Sequence, residues 1–172
     1  MAAGLDHAHA RGMVHRDVKP ANILLRDTDY NLPRFATEPY AVLTDFGVVK
    51  MLEGIQLTAT GSTLGTPDYM SPEQAQGKEV THASDIYSLA VVVYEMLVGQ
   101  LPFTAETPIA VLLKHMMDEP PLPRDLRPDL PRGVDRVLQK ALGKDPEERY
   151  RSAGEFIDAL SDAMQDSGEK SL

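Results

Sequence analysis

The chain has 172 residues, 42% of them hydrophobic and 25% charged, which is enough to bury the core of one globular domain. Its 26 acidic residues outnumber its 17 basic residues and give a net charge of −9. This excess argues against a nucleic-acid-binding surface, because such a surface needs a basic stripe. The absence of cysteine excludes disulfides, a thiol nucleophile and a cysteine-ligated zinc site.

The sequence contains neither a predicted signal peptide nor a predicted membrane-spanning segment. Residues 1–12 lack the apolar core of a signal peptide. The run from residue 89 to residue 97 is interrupted by Glu95 and is shorter than the roughly 20 residues needed to span a bilayer. We therefore expect a soluble cytoplasmic protein without a membrane segment.

Residues 3–11 are predicted to form a short helix with Leu5 and Ala8 on one face and a stop at Gly12. A helix shorter than about 12 residues is marginal by itself. This helix is therefore expected to depend on tertiary packing.

The segment that organises the sequence is residues 13–25, MVHRDVKPANILL, in which a charged loop runs directly into an apolar strand. A rigidly held reactive carboxylate needs such support. Asp17 can accept a proton from an incoming hydroxyl, and Lys19 can neutralise charge on a transferred group. Asn22 offers an uncharged oxygen to a hard cation.

Two short strands are predicted at residues 22–26 and 41–45. The connection between them contains Pro33 and Pro39 and is longer than a tight hairpin turn. It is interpreted as a surface loop, either a tolerated insertion or a docking segment for a partner.

Asp45 follows the second strand and precedes an apolar residue and a glycine, Phe46 and Gly47. A carboxylate at a strand end beside a glycine hinge suits a movable metal ligand. Taken alone, the same three residues would also fit a simple turn.

The longest apolar pattern predicts a helix from Ser84 to Gly99 that is buried on all sides. Its apolar residues recur at i, i+3, i+4 and i+7, namely Ile86, Leu89, Ala90, Val93, Met96 and Leu97. Such a helix is a scaffold on which a reactive loop can be anchored.

Three further helices are predicted towards the C-terminus. The first is capped by Thr107 and Pro108, the second covers residues 134–142, and the third follows a capping box at residues 152–155. The apolar stripe of the first comprises Ile109, Leu112, Leu113 and Met116.

The histidines and methionines outside these motifs are given structural roles. The histidines without zinc-site spacing are expected at the surface, namely His7, His9, His82 and His115. The methionines expected to fill the core are Met96, Met116 and Met117.

Three segments in this order resemble the eukaryotic-type serine/threonine protein kinases of bacteria: HRDVKPANILL from His15, GTPDYMSPEQ from Gly65 and SDIYSLAVVVYEMLVGQLPF from Ser84. The resemblance covers residues 5–160 but only the large lobe of that family. It implies a mainly α fold, a helical bundle around a buried central helix, with a small β-hairpin that carries the catalytic and metal-binding loops. The small β lobe would be absent, residues 1–165 would form the large lobe, and residues 166–172 would be a disordered tail.

The resemblance also implies a reaction, the transfer of the ATP γ-phosphate to Ser/Thr hydroxyls of protein substrates with Mg²⁺. Asp17 would be the catalytic carboxylate, with Lys19 beside it. Asn22 and Asp45 would bind the metal and, through it, the nucleotide. Thr66 would lie in the substrate loop, where it is similar to the serine/threonine branch.

Further residues would support this site. His15 would stack on Phe46, and Gly47 would act as the hinge. Asp85 would accept hydrogen bonds from the backbone of the catalytic loop, although a helix N-terminal charge favoured by the macrodipole is a simpler role.

The segment after Gly47 would be regulatory in such an enzyme. Residues 51–73 hold few large apolar side chains, so composition alone fits a solvated loop. The resemblance implies an activation segment in which Thr58, Thr60 or Thr63 accepts phosphate and Arg16 receives it. Glu73, at its end, would pair with Arg149.

The sequence contains neither G-x-G-x-x-G nor a Walker sequence, so it does not encode the glycine-rich cover of the phosphates. We expect the polypeptide alone to be inactive or nearly so, because no lid would expel water from the nucleotide. The apolar surface that would meet a small lobe is expected to be exposed. Three interpretations follow: a catalytic lobe of a larger enzyme, a non-catalytic scaffold that binds partners, and a split enzyme completed by another chain.

Overall fold

The computed structural model describes residues 1–26, 40–45 and 67–166. Its elements within these ranges are α1 (Ala2–His9), β1 (Ile23–Arg26), β2 (Tyr40–Leu43), α2 (Pro72–Ala75), α3 (His82–Val98), α4 (Pro108–Met117), α5 (Pro123–Leu126), α6 (Arg132–Ala141) and α7 (Ala153–Gln165). Short 3₁₀ turns occur at Pro20–Asn22, Pro67–Tyr69 and Pro146–Glu148. The predicted architecture, a mainly helical lobe around a buried helix with one small hairpin, is confirmed.

Helix α3 forms the centre of the core, and its residues from 83 to 94 are buried. A capping box between Thr81 and Ser84 starts the helix two residues before the predicted position. Gly99 ends it with a φ of 85°, a left-handed conformation that favours glycine. The prediction that Met96 packs in the core is wrong: its side chain is 78% exposed, because the last turn extends past the buried part of the helix.

Helix α1 is held by the other end of the chain. Leu5 and Ala8 are buried, as the sequence pattern predicts. The Asp6 carboxylate accepts the backbone N–H groups of Ala153 and Gly154, at 2.8 and 2.9 Å. The expected tertiary support for this short helix is therefore supplied by α7.

The strands β1 and β2 pair antiparallel, with Ile23 opposite Leu43. They differ from the predicted ranges by one or two residues, because Pro20 opens a 3₁₀ turn that includes Asn22. The Thr44 N–H donates to the Asn22 carbonyl at 2.9 Å and continues the pairing by one step. The start of β1 and the end of β2 consequently lie at the same end of the hairpin.

Helix α4 buries only part of its predicted stripe. Leu112 is buried, whereas Ile109 and Leu113 are exposed. Met117, predicted in the core, is 74% exposed at the end of the same helix. No helix in the described residues is long and apolar enough to cross a membrane.

Two of the histidines predicted at the surface lie elsewhere. His115 is fully buried, with its ring edge-on to Phe103 and its Nδ1 2.9 Å from the Tyr87 hydroxyl. His9 is half-buried and bonds to Asp85. Each lies four positions after a buried apolar residue of its helix, Leu5 for His9 and Val111 for His115, and so shares its covered side.

Candidate active site

Asp17, Lys19 and Asn22 form one connected group in the loop after α1. The Lys19 Nζ lies 3.0 Å from Oδ2 of Asp17. The Asn22 Nδ2 donates to the backbone carbonyl of Asp17 at 2.7 Å and to its carboxylate at 3.1 Å. The turn at Pro20–Asn22 brings the chain back over Asp17, so three residues spaced over six positions share one locus.

Asp45 lies at the same end of the hairpin as this group. It directly follows Thr44, whose backbone N–H and hydroxyl both reach the Asn22 carbonyl, at 2.9 and 3.3 Å. Asp45 is exposed and has a φ of 58°, in the left-handed region that is uncommon for residues other than glycine and in which aspartate is one of the more frequent exceptions. The structure therefore brings the predicted carboxylates and the amide to one edge of the hairpin.

The oxygen donors at this edge suit a hard cation. Because Asn22 uses its Nδ2 on Asp17, its Oδ1 is the side-chain atom that remains for a metal. Mg²⁺ is commonly bound through one or two protein oxygens and completes its shell with water and phosphate oxygens. No cluster of three or more His, Asp or Glu side chains that could enclose a metal occurs in the described residues.

The loop is anchored on α3 through Asp85, which is only 1% exposed. Its carboxylate accepts the backbone N–H of His15 at 2.7 Å and that of Arg16 at 2.8 Å. It also lies 2.7 Å from Nε2 of His9. Helix α3 thus orients the peptide units that lead into His15 and Arg16, just before Asp17.

His15 joins the loop to the end of β2. Its Nδ1 accepts the Asp17 N–H at 3.3 Å, so its Nε2 carries the proton and donates to the Thr44 carbonyl at 2.9 Å. The fully buried ring of His15 therefore connects the backbone of Asp17 to the residue that follows β2. Phe46, its expected stacking partner, lies outside the described residues, as does Gly47.

Glu73 and Arg149 form a buried bidentate ion pair with contacts of 2.8 and 2.9 Å. The Ser84 hydroxyl donates to the same carboxylate at 2.6 Å, and Arg149 also donates to backbone carbonyls, including that of Ala83 at 2.9 Å. Burial would raise the pKa of Glu73, but the hydrogen bonds from Arg149 and Ser84 outweigh it and hold that pKa below its usual value. The pair fastens the start of α2 to α3 and to the turn before α7.

The residues just before α2 are fastened to α3 as well. The Tyr69 hydroxyl donates to Glu95 at 2.6 Å. Burial and the neighbouring Glu95 raise the pKa of Asp68. The predicted hydroxyl sites Thr58, Thr60 and Thr63 and the substrate-loop residue Thr66 lie outside the described residues.

Two contacts of the site are not predicted from the sequence. His9 bonds to Asp85, and its spacing of four residues from Leu5 on the buried face of α1 is the signal that points to it. The Gln74 side chain donates from Nε2 to the Arg16 carbonyl at 2.9 Å. The S-x-x-Q pattern at Ser71 indicates a capping box, but nothing local indicates the bond to Arg16.

Comparison with known proteins agrees with this arrangement. Residues 1–160 match the protein kinase domain family. The chain is 42% identical over 165 residues to the serine/threonine-protein kinase PknD of Mycobacterium tuberculosis, covering 95% of this chain and 23% of that protein. It is 43% identical over 157 residues to PknA of the same species, covering 91% of this chain and 33% of PknA.

A third relative is the serine/threonine-protein kinase PknH of Mycobacterium bovis, 39% identical over 166 residues that make up 96% of this chain and 26% of PknH. The chain therefore spans a third or less of the length of these relatives. Its motifs, its helical lobe and these matches place it in the protein kinase domain family, among the eukaryotic-type serine/threonine kinases of bacteria.

Proposed function

We propose that this chain forms the catalytic lobe of an enzyme that transfers the γ-phosphate of ATP to Ser/Thr hydroxyls of proteins. The observation that carries the proposal is the group of Asp17, Lys19 and Asn22 at the same edge of the hairpin as Asp45. Phosphoryl transfer depends mainly on positioning and charge stabilisation, and this edge supplies groups for both.

Each side chain has a distinct part in this proposal. Asp17 accepts the proton of the attacking hydroxyl, and its bond from Asn22 holds the carboxylate towards the site. Lys19, 3.0 Å from that carboxylate, neutralises negative charge on the group in transfer. Asn22 and Asp45 would hold Mg²⁺, which when bound neutralises phosphate charge.

We also propose that the chain alone is inactive or nearly so. Leu24 and Leu25 of β1, two and three positions after Asn22, are 53% and 79% exposed. Apolar side chains next to a site that must exclude water are expected to be covered by another element. A small lobe or partner chain would cover them and supply a glycine-rich loop, which this sequence lacks.

The regulatory part of the proposal concerns Thr58, Thr60 and Thr63 as phosphate acceptors. Arg16 is half-buried beside Asp17 and is the cation proposed to receive the phosphate. Phosphopeptide mapping after incubation with an active kinase tests it, and phosphate found only outside these three residues would contradict it.

Transfer of labelled phosphate from ATP to a general protein substrate tests the main proposal. The chain is assayed alone and after fusion to a kinase small lobe, each as wild type, Asp17→Asn and Asp158→Asn. Asp158 is an exposed aspartate of α7 and serves as the matched control. We expect transfer only in the fused form, abolished by Asp17→Asn and retained by Asp158→Asn.

Each other outcome has a definite meaning. Asp17-dependent transfer by the chain alone would refute its inactivity, and transfer that survives Asp17→Asn would refute the assigned base. Fused chains that fold and bind partners but never transfer phosphate would favour the non-catalytic scaffold.

A further inference from the structure

Both the oxygen and the nitrogen of the Gln74 side-chain amide form hydrogen bonds. The side-chain Oε1 accepts the Ser71 N–H at 3.1 Å, and the backbone N–H of Gln74 donates to the Ser71 hydroxyl at 3.3 Å, which completes the capping box of α2. Its Nε2 donates to the backbone carbonyl of Arg16, 58 positions away, at 2.9 Å. A capping box needs only an acceptor at this position, and glutamate provides one equally well. The bond to Arg16 is therefore a separate function that requires the amide.

The carbonyl of Arg16 belongs to the peptide unit that leads into Asp17. The N–H of the same unit donates to Nδ1 of His15 at 3.3 Å. The two preceding N–H groups donate to Asp85. Three successive N–H groups and one carbonyl are thus each held by a side chain, and Gln74 is the residue that holds the carbonyl.

The backbone at Arg16 needs this support. Arg16 has a φ of 67°, in the left-handed region that side chains larger than glycine disfavour. Such a conformation persists only where its surroundings over-determine it. Asp85 fixes the N–H on one side of Arg16, and Gln74 fixes the carbonyl on the other.

We infer that Gln74 is a positioning residue for Asp17, because it fixes the plane of the peptide from which that carboxylate projects. The inference rests on the proposed function in that Asp17 is the group positioned for phosphoryl transfer. It also means that the start of α2 and the catalytic loop are mechanically coupled through one hydrogen bond.

Gln74→Glu tests this directly, since glutamate keeps the capping acceptor and loses the donor. Gln76→Glu makes the same chemical change at the exposed end of α2 and is the matched control. In the 172-residue chain, amide hydrogen exchange is followed by NMR and thermal unfolding is measured in parallel. We expect the Arg16 and Asp17 amides to exchange at least tenfold faster in Gln74→Glu, with wild-type rates in α6 and α7 and throughout Gln76→Glu.

Exchange rates measured over a range of pH separate loss of the donor from a general loss of structure in Gln74→Glu, because only the loss of the donor is reversed by protonation. When the introduced carboxyl group is protonated, it regains a donor, so exchange rates relative to Gln76→Glu at the same pH should return towards wild type. Unchanged rates at Arg16 and Asp17, a uniform acceleration in all helices, or no recovery at acid pH would overturn the inference.

If Gln74→Glu does not fold, Gln74→Met removes the donor, together with the capping acceptor, without adding charge. The same acceleration at Arg16 and Asp17 is expected, and its absence would also overturn the inference. These measurements involve no nucleotide. Failure of phosphate transfer and failure of the Gln74 coupling are therefore distinguishable.

Discussion

The Asp6 carboxylate accepts the backbone N–H of Gly154 at 2.9 Å, across 148 positions of the chain. Together with the bond from Ala153, this contact caps the start of α7 with a side chain of α1. A Cβ at Gly154 would lie 2.8 Å from the Asp6 carboxylate, so the absence of a side chain there permits the close approach. The helix that leads into the loop of Asp17 is thereby part of the core.

We expect Asp6→Ala to lower the free energy of unfolding by about 1–2 kcal/mol, because two N–H groups at a helix start lose their acceptor. Urea unfolding followed by circular dichroism measures the change. Asp158→Ala, at an exposed position of α7, is the control and should leave stability unchanged. Equal losses in both variants would show that the cap does not stabilise the fold.

Glu73→Gln should lower the free energy of unfolding by about 3 kcal/mol, because Arg149 would remain buried with its charge unpaired. Chemical denaturation provides the measurement. The exposed pair of Arg127 and Asp129, joined at 2.8 Å, offers the comparison. Asp129→Asn should have no measurable effect, since exposed pairs contribute little. A small loss in Glu73→Gln would mean that the buried pair does not hold α2 in place.

The buried His115 predicts loss of stability at mildly acid pH. Burial, and secondarily the nearby Lys144, lower the pKa of His115 to about 4. The unfolded chain, with a histidine pKa of about 6.5, takes up the proton first, so protonation favours unfolding. The stability that depends on neutral His115 should be complete above pH 6.5, and the free energy of unfolding should decline as the pH falls from 6.5 towards 4.

Unfolding curves at half-unit pH steps measure this decline. His115→Gln, which does not titrate, should flatten the curve between pH 6.5 and 4, whereas His7→Gln, at an exposed position, should not. A separate loss is expected below about pH 4.5. Because the folded chain lowers the pKa of Glu73, the unfolded chain takes up the proton first and unfolding is favoured as the pH falls. If the free energy of unfolding of His115→Gln declined between pH 6.5 and 4 as steeply as that of the wild type, the decline would not be due to His115.

The exposed leucines of β1 predict self-association of the chain. Leu25→Glu should shift the molar mass measured by light scattering towards the monomer, because it removes the most exposed apolar side chain beside the site. Met117→Glu, 74% exposed on α4, is the comparison and should change the mass less. A monodisperse wild-type monomer would contradict this prediction.

The proximity of the loop residues was predictable from the sequence. Asp17, Lys19 and Asn22 lie within six positions, so a single turn is enough to bring them together. Helix α3 was equally predictable, since its apolar periodicity and its glycine stop are encoded in adjacent residues. Both features depend on interactions over a few residues.

Other features were decided by the tertiary structure alone. Periodicity identifies the apolar side of a helix but not how far a distant neighbour covers it, which is why Met96 and Met117 are exposed and His115 is buried. The bonds of Asp85 to His9 and of Gln74 to Arg16 join residues 76 and 58 positions apart. Their formation depends on how α1, α2 and α3 pack. The spacing of His9 from Leu5 places it on the buried face of α1, but no local pattern identifies the distant partner of His9 or of Gln74.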